Sequence, residues 1–266
     1  MLRFYPTAYY GPRTTLPGLR PGSIRKRLVA KVDGWDRAFA RRHPDPLLQR
    51  LREIYEPKTP ASRLLDYGCG SPAFLDEARR RGWLTTGADV SEEVLAEVAA
   101  SGHDAVRAEP SALEGIGDGT LTLVRLNHVI EHLYHPRDVI SALHRKLEPG
   151  GLIHLSTPNP DSYAARTFRT FWLGLDCPRH VLLYPPPTLA ALLREIGFRT
   201  VEIHQEVLTK DATRSLGHTL HGFGLIPHER ILAMAEKELL DAILRIPARV
   251  AAARGAADRF HCIAAA

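Results

Sequence analysis

From residue 63 onward, short apolar runs alternate with amphipathic stretches. The runs predict strands over 63–67, 85–89, 104–107, 121–126 and 151–157. The stretches between them, apolar at every third or fourth position, predict helices over 72–81, 91–100 and 136–147. Pro149-Gly150-Gly151 reads as a helix stop followed by a strand entry. Strands alternating with helices of this length predict an α/β fold with a parallel, doubly wound sheet.

Beyond Asn159 the alternation loosens. Residues 158–186 form an aromatic-rich insertion that runs into Tyr184-Pro185-Pro186-Pro187. Thr188 is placed to cap a helix over 189–196, closed by Gly197, and a strand follows over 199–206. Residues 207–257 form a second insertion, with a helix over about 227–246 whose Ile231, Ala235, Leu239, Ile243 and Ile246 share one face. The stretch 258–265 predicts a last strand.

The first 57 residues have another character and are expected to form an arm and cover helices over a domain spanning 58–266. Residues 1–20 are rich in Pro, Gly and Tyr, and Tyr5, Tyr9 and Tyr10 suit either an arm over a ligand or a loosely packed terminus. Ile24, Leu28, Val32, Trp35 and Phe39 fall on one helical stripe, and His43-Pro44-Asp45-Pro46 ends that helix. A short helix over 47–55 follows.

Composition narrows the class. A 44% hydrophobic content supports a full core and argues against global disorder. No apolar run is long enough to span a membrane, and the N-terminus carries no apolar signal core, so a cytoplasmic protein is expected. Three scattered cysteines, Cys69, Cys177 and Cys262, match neither a disulfide framework nor a zinc pattern, and no metal is expected. The net charge of +5 is concentrated early, in Arg25, Lys26, Arg27, Lys31, Arg37, Arg41 and Arg42. Such a cluster attracts an anionic lipid surface, a nucleic acid or a phosphorylated substrate, or is simply a solvated helix face.

The candidate chemistry begins at Arg63-Leu64-Leu65-Asp66-Tyr67-Gly68-Cys69-Gly70-Ser71-Pro72. A strand enters a glycine turn, and Pro72 suits a first helical position because its missing N–H costs nothing there. Strand, glycine turn and helix N-terminus make a nucleotide pocket at the carboxyl end of a parallel strand. The glycine spacing with Asp89 downstream also satisfies the dinucleotide fingerprint, so this stretch alone leaves the nucleotide open.

Four separated stretches, the glycine turn among them, narrow the choice. Leu64 to Gly70, Gly87-Ala88-Asp89-Val90-Ser91, Asn127-His128-Val129-Ile130-Glu131-His132-Leu133, and Leu147 to Gly151 through Ser156-Thr157-Pro158-Asn159 occur in this order, followed by Pro178-Arg179-His180 and Gly197-Phe198. The chain resembles the class I S-adenosylmethionine-dependent methyltransferases, in particular the quinone and sugar O-methyltransferase branch, over roughly 60–205 and the last strand. The resemblance implies a Rossmann-like seven-stranded sheet whose last strand is antiparallel, with helical insertions. It implies S-adenosylmethionine as cofactor, with Gly68 and Gly70 against the methionine part and Asp66 beside it. Asp89 would accept from both ribose hydroxyls, Glu109 would sit near the adenine, and Asn127 and His128 would line the sulfonium side. The chain departs from the family at Pro72, where another glycine is usual, and at Leu121-Thr122, where Phe-Asp is usual.

Methyl transfer to a hydroxyl needs a base, and histidine is suited to that at neutral pH. His180, in the first insertion, is the first candidate and His132 the second. Each is set against a structural role, His180 with Arg179 pinning the insertion and His132 packing under the next helix. Arg179 could also bind an acidic group on the acceptor. Trp172 and Phe171 could wall an apolar acceptor or form local core. The expected acceptor is a small molecule or glycan rather than a nucleic acid, since no base-flipping motif or added nucleic-acid module is present. The alternatives are a non-catalytic scaffold of the same fold and an NAD-dependent oxidoreductase. For the latter, no tyrosine stands four residues before a lysine, as a short-chain dehydrogenase needs.

Overall fold

In a computed structural model the structure describes residues 46–206, 209–231 and 238–266. The arm with Tyr5, Tyr9 and Tyr10, the stripe from Ile24 to Phe39, the early basic cluster and Ala235 lie outside the described residues.

Helix α1 (Pro46–Ile54) precedes the alternating region. Then come β1 (Arg63–Tyr67), α2 (Ala73–Arg80), β2 (Leu84–Asp89), α3 (Glu92–Ala100), β3 (Asp104–Arg107), β4 (Leu121–Asn127), α4 (Pro136–Lys146) and β5 (Leu147–Pro158). The second part contains α5 (Tyr163–Phe168), α6 (Pro186–Ile196), β6 (Thr200–Glu206), α7 (Lys210–Gly222), α8 (Glu238–Ala253) and β7 (Arg259–Ala265). The strands form one seven-stranded sheet in the order β3-β2-β1-β4-β5-β7-β6. β7 runs antiparallel between β5 and β6, and the other pairings are parallel. The strand order reverses between β1 and β4, which places the ligand crevice at their carboxyl ends.

The two faces of the sheet bury different cores. Leu65, Tyr67, Val124, Leu126, Ile153, Leu155 and Phe260 pack against α4 and α6 through Ile140, Leu143, Leu189 and Leu193. On the other face Leu64 and Leu123 pack against Leu75, Ala78, Trp83 and Val98. Alternate residues of one strand thus reach opposite layers, as the pleat requires.

Several boundaries differ from the sequence reading, each for a local reason. The fifth strand begins at Leu147, four residues before the expected start, and takes Pro149-Gly150-Gly151 into the strand. The pairing with β4 shifts register between Leu121 and Leu123, which absorbs Gly150 at φ +79°. α6 begins at Pro186 rather than at residue 189, so Thr188 lies inside its first turn instead of capping it. Prolines lack the N–H that the first turn leaves unpaired, so Pro186 and Pro187 start a helix without cost. The second insertion contains α7, which the apolar pattern did not indicate, and α8 extends beyond the expected 246 with Pro247 inside it. Among the described residues, no helix is long and apolar enough to cross a membrane.

Candidate active site

The glycine turn is tied to the end of β2. The Gly68 and Cys69 amides both donate to the Ala88 carbonyl, at 2.7 and 3.0 Å. Gly68 at φ +75° lies so close to β4's exit loop that a Cβ would stand 2.5 Å from Val129 Cγ2. Gly70 at φ +63° shares the left-handed backbone that favours glycine. Pro72 stands just before α2, in helical geometry and without a side-chain cap.

Asp89 ends β2 and organises the turn. Its Oδ2 accepts from the Gly70 amide at 2.9 Å and its Oδ1 from the Ser91 amide at 3.0 Å. Each carboxylate oxygen has two lone pairs, so each retains one acceptor position. That leaves a pair of acceptors for two adjacent hydroxyls. Ser91 in turn caps α3 by accepting from the Val94 amide.

Asp66 has a different partner from the one expected. Its side chain is fully buried, and both its oxygens accept from Arg125 Nη1, at 2.8 and 2.9 Å. Burial pushes the Asp66 carboxyl up, against the pull of Arg125. Arg125 also lies 3.9 Å from the centroid of the Phe74 ring. Asp66 therefore supports the strand under the turn instead of lining its surface. Glu109 lies in the loop after β3, exposed and bonded to Arg107, so its carboxylate faces solvent.

The exit of β4 gathers the histidines. Asn127 is the last residue of the strand, and His128 follows at φ +56°, an uncommon conformation for a side-chain-bearing residue. Its amide donates to the Ser156 carbonyl and its Nδ1 is 3.1 Å from Glu131 Oε1. Its Nε2 is buried with no hydrogen-bond partner among the described residues. The other Glu131 oxygen accepts from Thr157. Burial pushes the Glu131 carboxyl up, but the bond and charge of His128, a backbone hydrogen bond and His132 together outweigh it, and the net shift is down.

His132 and His180 meet edge to face, with ring centroids 4.8 Å apart. His132 Nδ1 lies 2.9 Å from the Arg179 carbonyl, and His180 Nδ1 lies 2.7 Å from the Gly174 carbonyl. A carbonyl only accepts, so both Nδ1 atoms carry the proton and both Nε2 atoms present a lone pair. Burial lowers the His132 pKa below the usual histidine value. Trp172 is buried and packs on Gly174, where a Cβ would stand 2.3 Å from its ring. The insertion is thus pinned through its backbone, with the Val181 and Leu182 amides donating to the Glu131 carbonyl. Arg179 pairs with Asp176, and Phe171 packs near Phe223.

Sequence reasoning missed a largely buried hydrogen-bonded row across the outer half of the sheet, with His154 and His261 at its centre. Tyr55 Oη is 2.5 Å from His154 Nδ1, His154 Nε2 is 2.8 Å from His261 Nδ1, and His261 Nε2 is 3.1 Å from Glu206 Oε2. One proton order suits all three contacts. The Tyr55 hydroxyl donates to a neutral His154, which donates to a neutral His261, which donates to an ionised Glu206. Burial, with the neighbouring His261 and Arg125, holds the His154 pKa well below the usual value. Burial opposes ionisation of Glu206, but the His261 bond and Arg259 hold its carboxyl down. These residues stand on three strands and in the turn after α1, so the signal in the sequence was no more than polar residues within otherwise apolar strands.

The family described as "Methyltransferase domain" matches residues 37–203. The ubiquinone biosynthesis O-methyltransferase of Pseudomonas aeruginosa is 30% identical over 155 residues, covering 53% of this chain and 66% of that protein. The protein of the same name from Idiomarina loihiensis is 28% identical over 130 residues, covering 47% of this chain and 51% of that protein. The chain thus spans between half and two thirds of these relatives' length. A SAM-dependent methyltransferase from Archaeoglobus fulgidus has the same fold at a TM-score of 0.55 and 21% identity, with 91% of this chain and 94% of that chain covered. One from Mesorhizobium loti has a TM-score of 0.52 at 20% identity, with coverages of 82% and 96%. With the family match spanning more than half of the sequence, the chain belongs to the class I S-adenosylmethionine-dependent methyltransferases.

Proposed function

We propose that the chain transfers a methyl group from S-adenosylmethionine to a hydroxyl of a small molecule or glycan, with His180 as the general base. The observation that carries this reading is the Gly174 carbonyl on His180 Nδ1, which leaves Nε2 as the proton acceptor beside the exit of β4. The residues present suit the cofactor. Asp89 retains two acceptor positions for vicinal hydroxyls, and the buried Nε2 of His128 lacks a partner on the side expected to face the sulfonium. The Gly68–Gly70 backbone and Asn127 would complete that side.

When bound, S-adenosylmethionine supplies an activated methyl for in-line displacement, so the protein's work is positioning, water exclusion and proton removal. His180 Nε2 takes the hydroxyl proton as the oxygen becomes a nucleophile. His132 packs against the His180 ring, and its own lowered pKa keeps positive charge away from the developing imidazolium. The relatives named above, ubiquinone biosynthesis O-methyltransferases, support oxygen as the acceptor atom.

The test is calorimetric titration with S-adenosylmethionine, S-adenosylhomocysteine and NAD, followed by an acceptor screen with labelled methyl groups. Binding of both sulfur nucleotides and label transfer to hydroxyl compounds are expected. Binding of NAD alone, or cofactor binding with no transfer to any hydroxyl, nitrogen or carbon acceptor, would overturn the reading.

A further inference from the structure

The carboxyl edge of the sheet holds a cavity that neither the glycine turn nor the histidine group uses. It has a volume of about 790 Å³ and lies between α5, the start of α6 and the C-terminal half of α8. Its walls are apolar, with Tyr163, Pro186, Pro187, Pro247, Val250 and Ala251. A smaller inner chamber of about 90 Å³ shares Tyr163, Pro247, Ala251 and Ala256 with it and is lined also by the partly buried Glu206 and Asp258.

The charges along this slot are ordered. Arg166 and Arg254 line the outer cavity, and neither makes a side-chain hydrogen bond or ion pair among the described residues. One carboxylate, Asp161, lines the same cavity, so the mouth carries a net positive charge. The inner end has the opposite sign. Glu206 is held ionised by His261 and Arg259, and burial pushes the Asp258 carboxyl up to about 6. An anion is therefore repelled from the inner end and attracted to the mouth.

Position decides what the slot is for. β4, which carries His128, and β6, which carries Glu206, are three steps apart in the sheet. At ~4.8 Å per step this is roughly 14 Å, so a molecule reaching from one to the other is elongated. We propose that the slot holds the body of the methyl acceptor, an elongated apolar molecule with a carboxylate or phosphate at the end remote from the reacting hydroxyl. Arg166 and Arg254 hold that anion, and the walls of α5 and α8 hold the apolar body. The assignment rests on the methyltransferase reading above and adds the acceptor's chemical class to it.

The test uses the full chain and simple probes. Dodecanoate, dodecyl phosphate and dodecanol are titrated into the wild type, into the double variant Arg166→Glu/Arg254→Glu, and into Ala251→Trp, with S-adenosylhomocysteine as a parallel ligand. Both anions are expected to bind the wild type about tenfold or more tighter than dodecanol. The charge-reversed variant should lose that preference and keep its dodecanol affinity, while Ala251→Trp should weaken all three probes. Either variant should bind S-adenosylhomocysteine as the wild type does. Equal binding of dodecanol and the anions, an anion preference that survives charge reversal, or no binding of any probe overturns the slot assignment. Loss of S-adenosylhomocysteine binding by the wild type instead overturns the methyltransferase reading, and the probe titrations still judge the slot on their own.

Discussion

Arg125 on β4 donates through one nitrogen, Nη1, to both oxygens of Asp66 on β1, a carboxylate with no exposed surface. The pair joins the two strands at the crevice directly beneath the glycine turn. Removing the cation alone leaves a buried charge unpaired, which costs far more than the pair contributes. Arg125→Ala is expected to destabilise the protein by about 3–5 kcal/mol in urea unfolding. Adding Asp66→Asn should recover part of that loss. If Arg125→Ala unfolds like the wild type, the ion pair does not support the turn.

Asp89 predicts cofactor affinity. It is expected to accept from two ribose hydroxyls while holding the Gly70 and Ser91 amides. At ~1.5–3 kcal/mol for each of the two charge-assisted bonds, Asp89→Ala should weaken S-adenosylhomocysteine binding by about 10²–10⁴-fold. Asp89→Asn should fall between the two. Calorimetric titration measures both, and an unchanged affinity for Asp89→Ala excludes the ribose contact.

His180 predicts turnover without affinity. Its base role requires His180→Ala to lower kcat by about 10²–10⁴-fold on the true acceptor. Binding of S-adenosylhomocysteine should stay within about twofold, since His180 is set apart from the glycine turn on the first insertion. His132→Ala should lower kcat less, because it acts on the His180 ring rather than on the proton. Near-normal turnover by His180→Ala removes it from the chemistry.

His154 predicts how stability depends on pH. Its folded pKa lies well below the usual 6.5. Below about pH 6.5 the unfolded chain therefore binds a proton that the folded chain does not. Stability from this group is fully present above that pH and falls as the solution is acidified, by up to about 1.4 kcal/mol per pH unit. His132 and His218 are lowered in the same direction and add to the slope. Glu131 and Glu206, held below their usual value, add to it only below about pH 4.5. His154→Gln should flatten the stability profile between pH 5 and 6.5, whatever its absolute cost. Urea midpoints across that range decide it, and an unchanged slope assigns the dependence to other groups.

Much of the fold was legible because its signals are local. Leu64 and Leu65 before Gly68 and the alternation over residues 63–157 each depend on neighbours within one element. The same holds for Asp89 and His128, whose places at strand ends follow from register with the motif. The helix over 210–222 escaped because Thr, Ser, Gly and His interrupt its apolar stripe, and packing rather than propensity makes it helical.

The chain's order of motifs alone pointed to the family, the glycine turn and the strands that carry Asp66, Asp89 and Asn127. It could not say what each polar side chain would meet. Asp66 reads as a cofactor residue in one dimension, yet Arg125, fifty-nine residues away, takes both its oxygens. His154 and His261 are 107 residues apart and become hydrogen-bonded only when β7 inserts antiparallel between β5 and β6. The slot between α5 and α8 likewise exists only through packing. Hydrophobic periodicity is a property of neighbouring residues, whereas the partner of a buried polar group is fixed by strand register and by the layer that covers it.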